Sequence, residues 1–437
     1  MKGLIFTYLM TYGGAAVSLV SPFVGLLIYI CFAIVKPEAM WFWSVPIGNY
    51  SRIVAIALLI GWVIQGMGNW SFGRARLTVV SIVGFMLWAT FGAFMAPHRG
   101  AAWAFIEMLA KIVLPFLVGI TTIDSVQKLK QLAWVIVLSQ GYLAYELNMS
   151  YYSGNNRAAL EGFGDMDNNC VAISMVSCVA LAFFLGLHSP SWIAKGLALL
   201  SSLLMTHVVM FSFSRGGMLA LVITAGVAYW FVPKKPAHLL VFACALLLGW
   251  RLAGQQVTER FLTIFASAEE RDTSAQSRLE LWRACLDTIR QHPVFGVGPN
   301  HWAFVVEKYG YKQGKLAHTL WLQTGAELGI PGLGLLLLFY GSVVFRLGRI
   351  IKTKSHVADP WFRDAGRMVV AGLIGFAIAA QFVSLYGLEV PYYIALIGAG
   401  VLKLSSTAAE PVQQPAFVAP AGGPWLQVRP AHMESIG

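Results

Sequence analysis

The chain has 437 residues, 57% hydrophobic and 12% charged, with a net charge of +11. Its mean hydropathy is +0.67. A soluble chain of this length carries about twice that charged fraction, so a soluble globular class is excluded. The positive balance does not point to nucleic acid, because Lys and Arg fall largely in short loops between apolar runs, as in a membrane protein.

Apolar runs of about 17 to 22 residues recur, the length that crosses a bilayer as helix. A spanning backbone satisfies its own hydrogen bonds, which makes helix the default. The expected class is an all-α polytopic membrane protein. Residues 3–35 are interrupted at Gly13-Gly14 and at Ser21-Pro22, consistent with one bent helix or a pair of short ones. Further spans are expected at 50–67, 77–95, 102–121, 130–147, 168–187, 194–211, 216–232 and 238–253, then at 325–345, 367–384 and 390–404. The total is about 12 transmembrane helices. Between them lies one large polar loop, 254–317, which contains an amphipathic helix.

The organisation is thus N-terminal helices over 1–150 and central helices with an SRGG segment over 151–253. The loop 254–317 follows, then C-terminal helices over 318–404 and a tail over 405–437. The tail is rich in Pro, Ala and Gly and is expected to be disordered. Basic residues at Arg74, Arg76, Lys128, Lys130, Lys195, Lys234, Lys235 and Arg346 to Arg367 alternate onto one side. That side is assigned to the cytoplasm. The loops 36–49, 96–101, 148–167, 212–216, 254–317 and 385–390 then face outward. No cleavable signal peptide is expected. The five cysteines form no CxxC pair and read as small core residues.

Several polar residues stand where polarity is costly. Arg215, in FSFSRGG, opens a span at its outer end. It is either an interfacial anchor or, among small neighbours, a ligand-facing cation. In SRLELWRACLDTIRQ, a helix places Leu279, Trp282, Cys285, Leu286 and Ile289 on one face and Glu280, Arg283, Asp287 and Arg290 on the other. Arg278 projects near the middle of the apolar face, so it needs a partner: an internal salt bridge or a bound anion. His318, read as the start of a helix, shares a face with Leu322, Gly325 and Gly329. It is a structural histidine or a general base.

Glu327 lies deeper and reads as a brace for the loop or for Arg278, or as a substrate contact. Glu107 and Lys111 are spaced for an i,i+4 pair; the alternative is an anionic headgroup on Lys111. Arg157 and the run Asp165, Asp167, Asn168, Asn169 precede a span, where Asp and Asn cap helices. HPVFGVGPNHW is a Gly/Pro turn region, and its glycines do not make a nucleotide site. No HExxH or other dense metal-ligand spacing occurs, and His301 with His318 makes no metal site.

Three of these stretches together resemble the O-antigen ligase and O-antigen polymerase family. FSFSRGGMLALVI is similar to the family's Ser-Arg-Gly span start. SRLELWRACLDTIRQHPVFGVGPNHW resembles its Arg, Trp and Gly-x-Gly loop. AHTLWLQTGAELGIPGLG resembles its His-rooted motif, with Thr319 where the family more usually has Asn, Ser or Gln. NNRAALEGFGDMDNNCVAI resembles a weaker Arg, Gly, Asn segment, and SPFVGLLIYICFAIVKPEAMW the subset associated with exosortase systems. The likeness is best over 150–345.

The resemblance implies a GT-C-like fold and a multi-pass enzyme of the bacterial inner membrane, working at the periplasmic face. It implies transfer of a glycan from an undecaprenyl-diphosphate carrier to an acceptor hydroxyl on lipid A-core, a protein or another acceptor. Membrane lipids surround it, no cofactor is needed, and nucleic acid is not a partner. Arg215 and Arg278 would clamp the leaving diphosphate. His318 would take the proton of the attacking hydroxyl, with inversion at the anomeric carbon. Arg157, Asn168, Lys111 and Glu327 are the accompanying substrate-binding candidates. A polymerase of the same family is the near alternative and a small-anion transporter the distant one. A transporter places its polar groups near the midplane, often in repeated halves, and these gather at one face.

Overall fold

The structure is a computed structural model that describes residues 1–232, 273–353, 359–384 and 386–407, with isolated positions between 233 and 272. The expected span 238–253 and the tail after 407 lie outside the described residues. Those described are helical, without strands, apart from an isolated bridge between Phe163 and Met166. Seven described helices are long and apolar enough to cross a membrane, and Tyr50–Ile64, Arg215–Phe231 and Val390–Ser406 are shorter apolar ones.

Residues 3–35 form a pair, not one bent helix. α1 (Lys2–Val20) ends where Pro22 begins α2 (Pro22–Val35). The two pack so closely that a Cβ on Gly25 would strike the Ser18 hydroxyl at 2.3 Å. α3 (Tyr50–Ile64), α4 (Arg76–Met95), α5 (Arg99–Thr122) and α6 (Val126–Tyr152) follow, then α7 (Asn168–Leu187), α8 (Trp192–Phe211) and α9 (Arg215–Phe231). α10 (Thr273–Gln291) is the amphipathic helix of the large loop. α11 (Leu320–Lys352), α12 (Trp361–Ala379) and α13 (Val390–Thr407) complete the bundle. α7 packs against α8 and α12, and α11 against α4 and α12.

Two ends separate as the alternation of basic loops predicts. At one, Arg346 donates to the Arg74 carbonyl at 2.5 Å and Lys403 to the Ile120 carbonyl at 2.6 Å. Asp364 holds His188 at 3.3 Å and Arg367 at 3.0 Å. At the other, Lys36 donates to the Gly164 carbonyl at 2.5 Å and Asn168 to the Ser212 carbonyl at 3.0 Å.

Several boundaries differ from expectation, two of them with consequences for the loop. The span expected at 367–384 ends at Ala379, because the Ala380 carbonyl turns to accept from Leu320 N at 2.9 Å. The span expected at 325–345 begins at Leu320 and breaks at Gly329, where φ is 71° and ψ −177°. The break is filled by the loop. Val297 N donates to the Ala326 carbonyl at 2.9 Å and Gly298 N to the Glu327 carbonyl at 3.0 Å. Ile330 N donates to the Pro293 carbonyl at 2.8 Å. Gly329 therefore admits loop backbone, whereas Gly325 admits a neighbouring helix through Ile289 of the amphipathic helix.

A Cβ on Gly329 would meet the Val294 carbonyl oxygen at 2.1 Å, whereas one on Gly334 would meet nothing within 4 Å. Positive φ at this ψ is essentially a glycine conformation costing about 1–3 kcal/mol to impose on other residues. Gly329→Ala is therefore expected to lower the midpoint of thermal unfolding in detergent by several degrees, and Gly334→Ala to leave it unchanged or raised. Equal midpoints for the two variants would contradict the docked break.

Candidate functional site

The break divides α11 into a short half, Leu320–Leu328, and a long one. His318 stands just before the short half, at a bend with φ 54°. It is therefore not on the helix, and its direction is set by the bend and not by the phase of Gly325 and Gly329. The backbone around it is pinned from α12's end: Thr319 N donates to Ser384 Oγ at 3.2 Å.

The large loop folds over this half-helix around a small core of its own. Leu281, Ala284 and Cys285 of α10 join Trp302, Val306, Ala317 and Ala326. The buried stripe of α10 is thus rotated from the expected one. Leu281, Ala284, Cys285 and Thr288 face inward, while Leu286 is 43% exposed. Arg278 remains on the inner side, half-buried at the flank of that stripe, while Arg283 and Arg290 are exposed.

Glu327 is fully buried. Its carboxylate accepts from Asn300 N at 3.1 Å, Trp302 N at 3.2 Å and Gln323 Nε2 at 3.0 Å. These donors fix the loop onto the half-helix, so the geometry makes Glu327 a brace. His301 is a second staple. Its Nε2 accepts from His98 N at 3.0 Å, and Nδ1 meets the Pro299 carbonyl at 2.7 Å. Among the described residues no three His, Cys, Asp or Glu side chains gather where they could hold a metal.

Arg215 is the first residue of α9, capped by Ser214, whose hydroxyl accepts from Gly217 N at 3.2 Å. The turn before it is held from α7. Asn168 Nδ2 donates to the Ser212 carbonyl at 3.0 Å, and Ser214 Oγ donates to Asn169 Oδ1 at 2.8 Å. Asp167 caps α7 by accepting from Cys170 N at 2.8 Å. Asn168 therefore positions the Arg215 turn.

Phe382 joins the three stretches. A Cβ on Gly216 would stand 2.8 Å from it, and the ring of Trp282, one turn beyond Arg278, is 6.3 Å away. Two residues on, Ser384 accepts from the backbone beside His318. Arg215 and Arg278 are both half-buried and both engaged with partners. His318 is pushed down to about 4 by burial first, then by Arg278 and Lys315, with Asp167 opposing. It is neutral at physiological pH.

Two candidates belong elsewhere. Arg157 donates to the Ala39 carbonyl at 3.0 Å and lies over the rings of Phe42 and Phe163, at 5.5 and 5.6 Å. It ties the 36–49 and 148–167 loops together. Lys111 pairs with Glu107 at 3.0 Å, as its spacing predicts, and Arg52 joins them at 3.1 Å. Sequence reasoning missed Phe382, Ser384 and the Lys315 charge, and read Asp167 only as a cap. The polar Gln381 and Ser384 near the end of an apolar run were the available signal.

Residues 200–337 match the family model described as O-Antigen ligase, which covers the Arg215, Arg278 and His318 stretches. Residues 1–188 match a family of unknown function, DUF5935. No curated protein matches the chain.

The His318 environment sets a sign. Removing the Arg278 cation should ease protonation, so Arg278→Ala is expected to raise the His318 pKa from about 4 toward the ordinary histidine value. NMR of ring-labelled histidine, assigned with His318→Gln, measures it. An unchanged or lowered value would separate the two residues.

Proposed function

From a chain whose residues 200–337 belong to the O-antigen ligase family, we propose a specific reaction. The protein moves a glycan from a polyprenyl-diphosphate carrier of the undecaprenyl type to an acceptor hydroxyl. The acceptor is lipid A-core or another envelope acceptor, and transfer takes place at the periplasmic face of the inner membrane. The observation that carries this reading is the convergence on Phe382 and Ser384. The SRGG turn, the Arg278 helix and the His318 bend meet the same short turn.

The chemistry follows from the charges. The acceptor oxygen attacks the anomeric carbon and the bond from that carbon to the diphosphate oxygen breaks. The hydroxyl proton passes to the neutral imidazole of His318, and the configuration inverts. Charge grows on the leaving diphosphate, and fixed cations stabilise such charge most where water is excluded. Arg215 and Arg278 offer planar donor forks suited to phosphate oxygens. A base held down to about 4 is weak when the site is empty. The diphosphate offsets the Arg278 charge that helps hold it down, so donor binding makes His318 more basic when a proton must be taken.

Envelope glycans distinguish the outcomes in cells. A ligase deletion leaves uncapped acceptor with accumulated lipid-linked polymer, a polymerase deletion leaves single-repeat capping, and an anion transporter leaves the glycans unaltered. In a purified assay with lipid-linked donor, His318→Ala should lower transfer by about 10²–10⁴-fold. Arg215→Ala should lower it by about 10²–10³-fold, and transfer should persist in excess EDTA. Full activity of His318→Ala, or loss in EDTA restored by a divalent ion, would overturn the mechanism.

A further inference from the structure

A second charged cluster lies in the N-terminal region, on the flank of the bundle. Arg52 of α3 and Lys111 of α5 both hold the Glu107 carboxylate, at 3.1 and 3.0 Å. The side chains of Arg52, Glu107 and Lys111 are 57%, 57% and 52% exposed. In water such a cluster needs no explanation. Here its position does. α5 is a 24-residue candidate span that starts at Arg99, so at 1.5 Å per residue Glu107 and Lys111 lie about 12 and 18 Å along it.

The neighbouring surface is apolar and exposed. Ile53, Ile56 and Ile60 of α3 are 36%, 53% and 48% exposed. Ionised groups presented to acyl chains are costly and as a rule face water, a partner or a ligand. The depth arises from length. α3 has only 15 residues, about 22 Å of rise against a hydrocarbon core of about 30 Å. Through Arg52, its third residue, α3 starts level with Glu107, and we take the step down from Arg99 to that level as a notch. The first turn of α3 adds backbone donors there: Asn49, its N-cap residue, makes no side-chain capping bond. Behind Lys111 lies buried Glu389, raised to about 7 by burial and drawn the other way by Lys36 and Lys111.

Two cations against one exposed anion, beside helix-start donors, are complementary to an anion. The opening onto an exposed isoleucine face admits one that carries acyl or prenyl chains. We infer that Arg52, Lys111 and the start of Tyr50–Ile64 bind the phosphate headgroup of a membrane lipid. Glu107 keeps the two cations apart and in place when the notch is empty. The inference rests on the membrane reading of the chain and not on the transfer reaction.

The test uses the full-length purified protein in detergent and measures lipid retained per chain by native mass spectrometry. The probes are dioleoylphosphatidylglycerol, a short-chain polyprenyl diphosphate, and dioleoylglycerol as the phosphate-free control. Wild type should retain either phosphate lipid at least ~10-fold better than the control, a difference of about 1.4 kcal/mol. Displacement of the glycerophospholipid by the diphosphate would identify the carrier as the favoured source. Failure to displace it would identify bulk anionic lipid. Arg52→Gln with Lys111→Gln should abolish the preference. Glu107→Gln, which frees both cations, should strengthen it; a merely structural cluster would not. Equal retention of all three lipids, weaker binding by Glu107→Gln, or a dimer that covers the notch would overturn the inference.

Discussion

The end of this bundle that carries the large loop depends on a helix that stops and restarts. At Gly329 the backbone takes a conformation suited to glycine, and the carbonyls of Ala326 and Glu327 turn to the loop. Loop backbone from Pro293 to Gly298 answers them, and Gly296 lies so close that a Cβ would stand 2.3 Å from the Glu327 carbonyl carbon. Buried Glu327 then gathers Asn300 and Trp302 from the same loop. A broken helix within a membrane protein is tolerated when other groups satisfy its backbone. Here the satisfying group is the loop that carries Arg278.

The consequence is positional. One short half-helix has His318 at its start and the loop's anchor at its end. The loop's helix is fixed against it by Leu281, Ala284 and Cys285 packing on Ala326. The α12 end turns back to meet the same half-helix at Leu320 and Thr319, and Phe382 on that turn meets Gly216 and Trp282. An assembly of three distant stretches is thereby held by backbone contacts and ring packing.

Much of this was legible in the chain. Apolar runs located the helices because a bilayer fixes their length, and basic loops sorted their ends. Arg278 was conspicuous because it stood against the polarity of its helix. The capping run before α7 and the Glu107–Lys111 pair were local patterns, and local patterns can be read without a fold. What could not be read was non-local. The 380–384 turn looked like the continuation of a span because its residues are mostly apolar; only a carbonyl bond to Leu320 ends the helix there. The helix phase assigned to His318 failed for a related reason, since the bend before Leu320 is imposed from α12. The break at Gly329 was hidden inside a run that reads as uninterrupted span.

The central claim is that one outer site holds a lipid-diphosphate glycan between Arg215 and Arg278, with His318 beside the anomeric carbon. A cryo-EM structure of the His318→Ala protein with a polyprenyl-diphosphate-linked saccharide tests it directly. The account predicts the diphosphate between the two guanidinium groups, the first sugar next to residue 318, and the Phe382 turn alongside. Diphosphate bound away from both arginines, with the first sugar remote from residue 318, would contradict it.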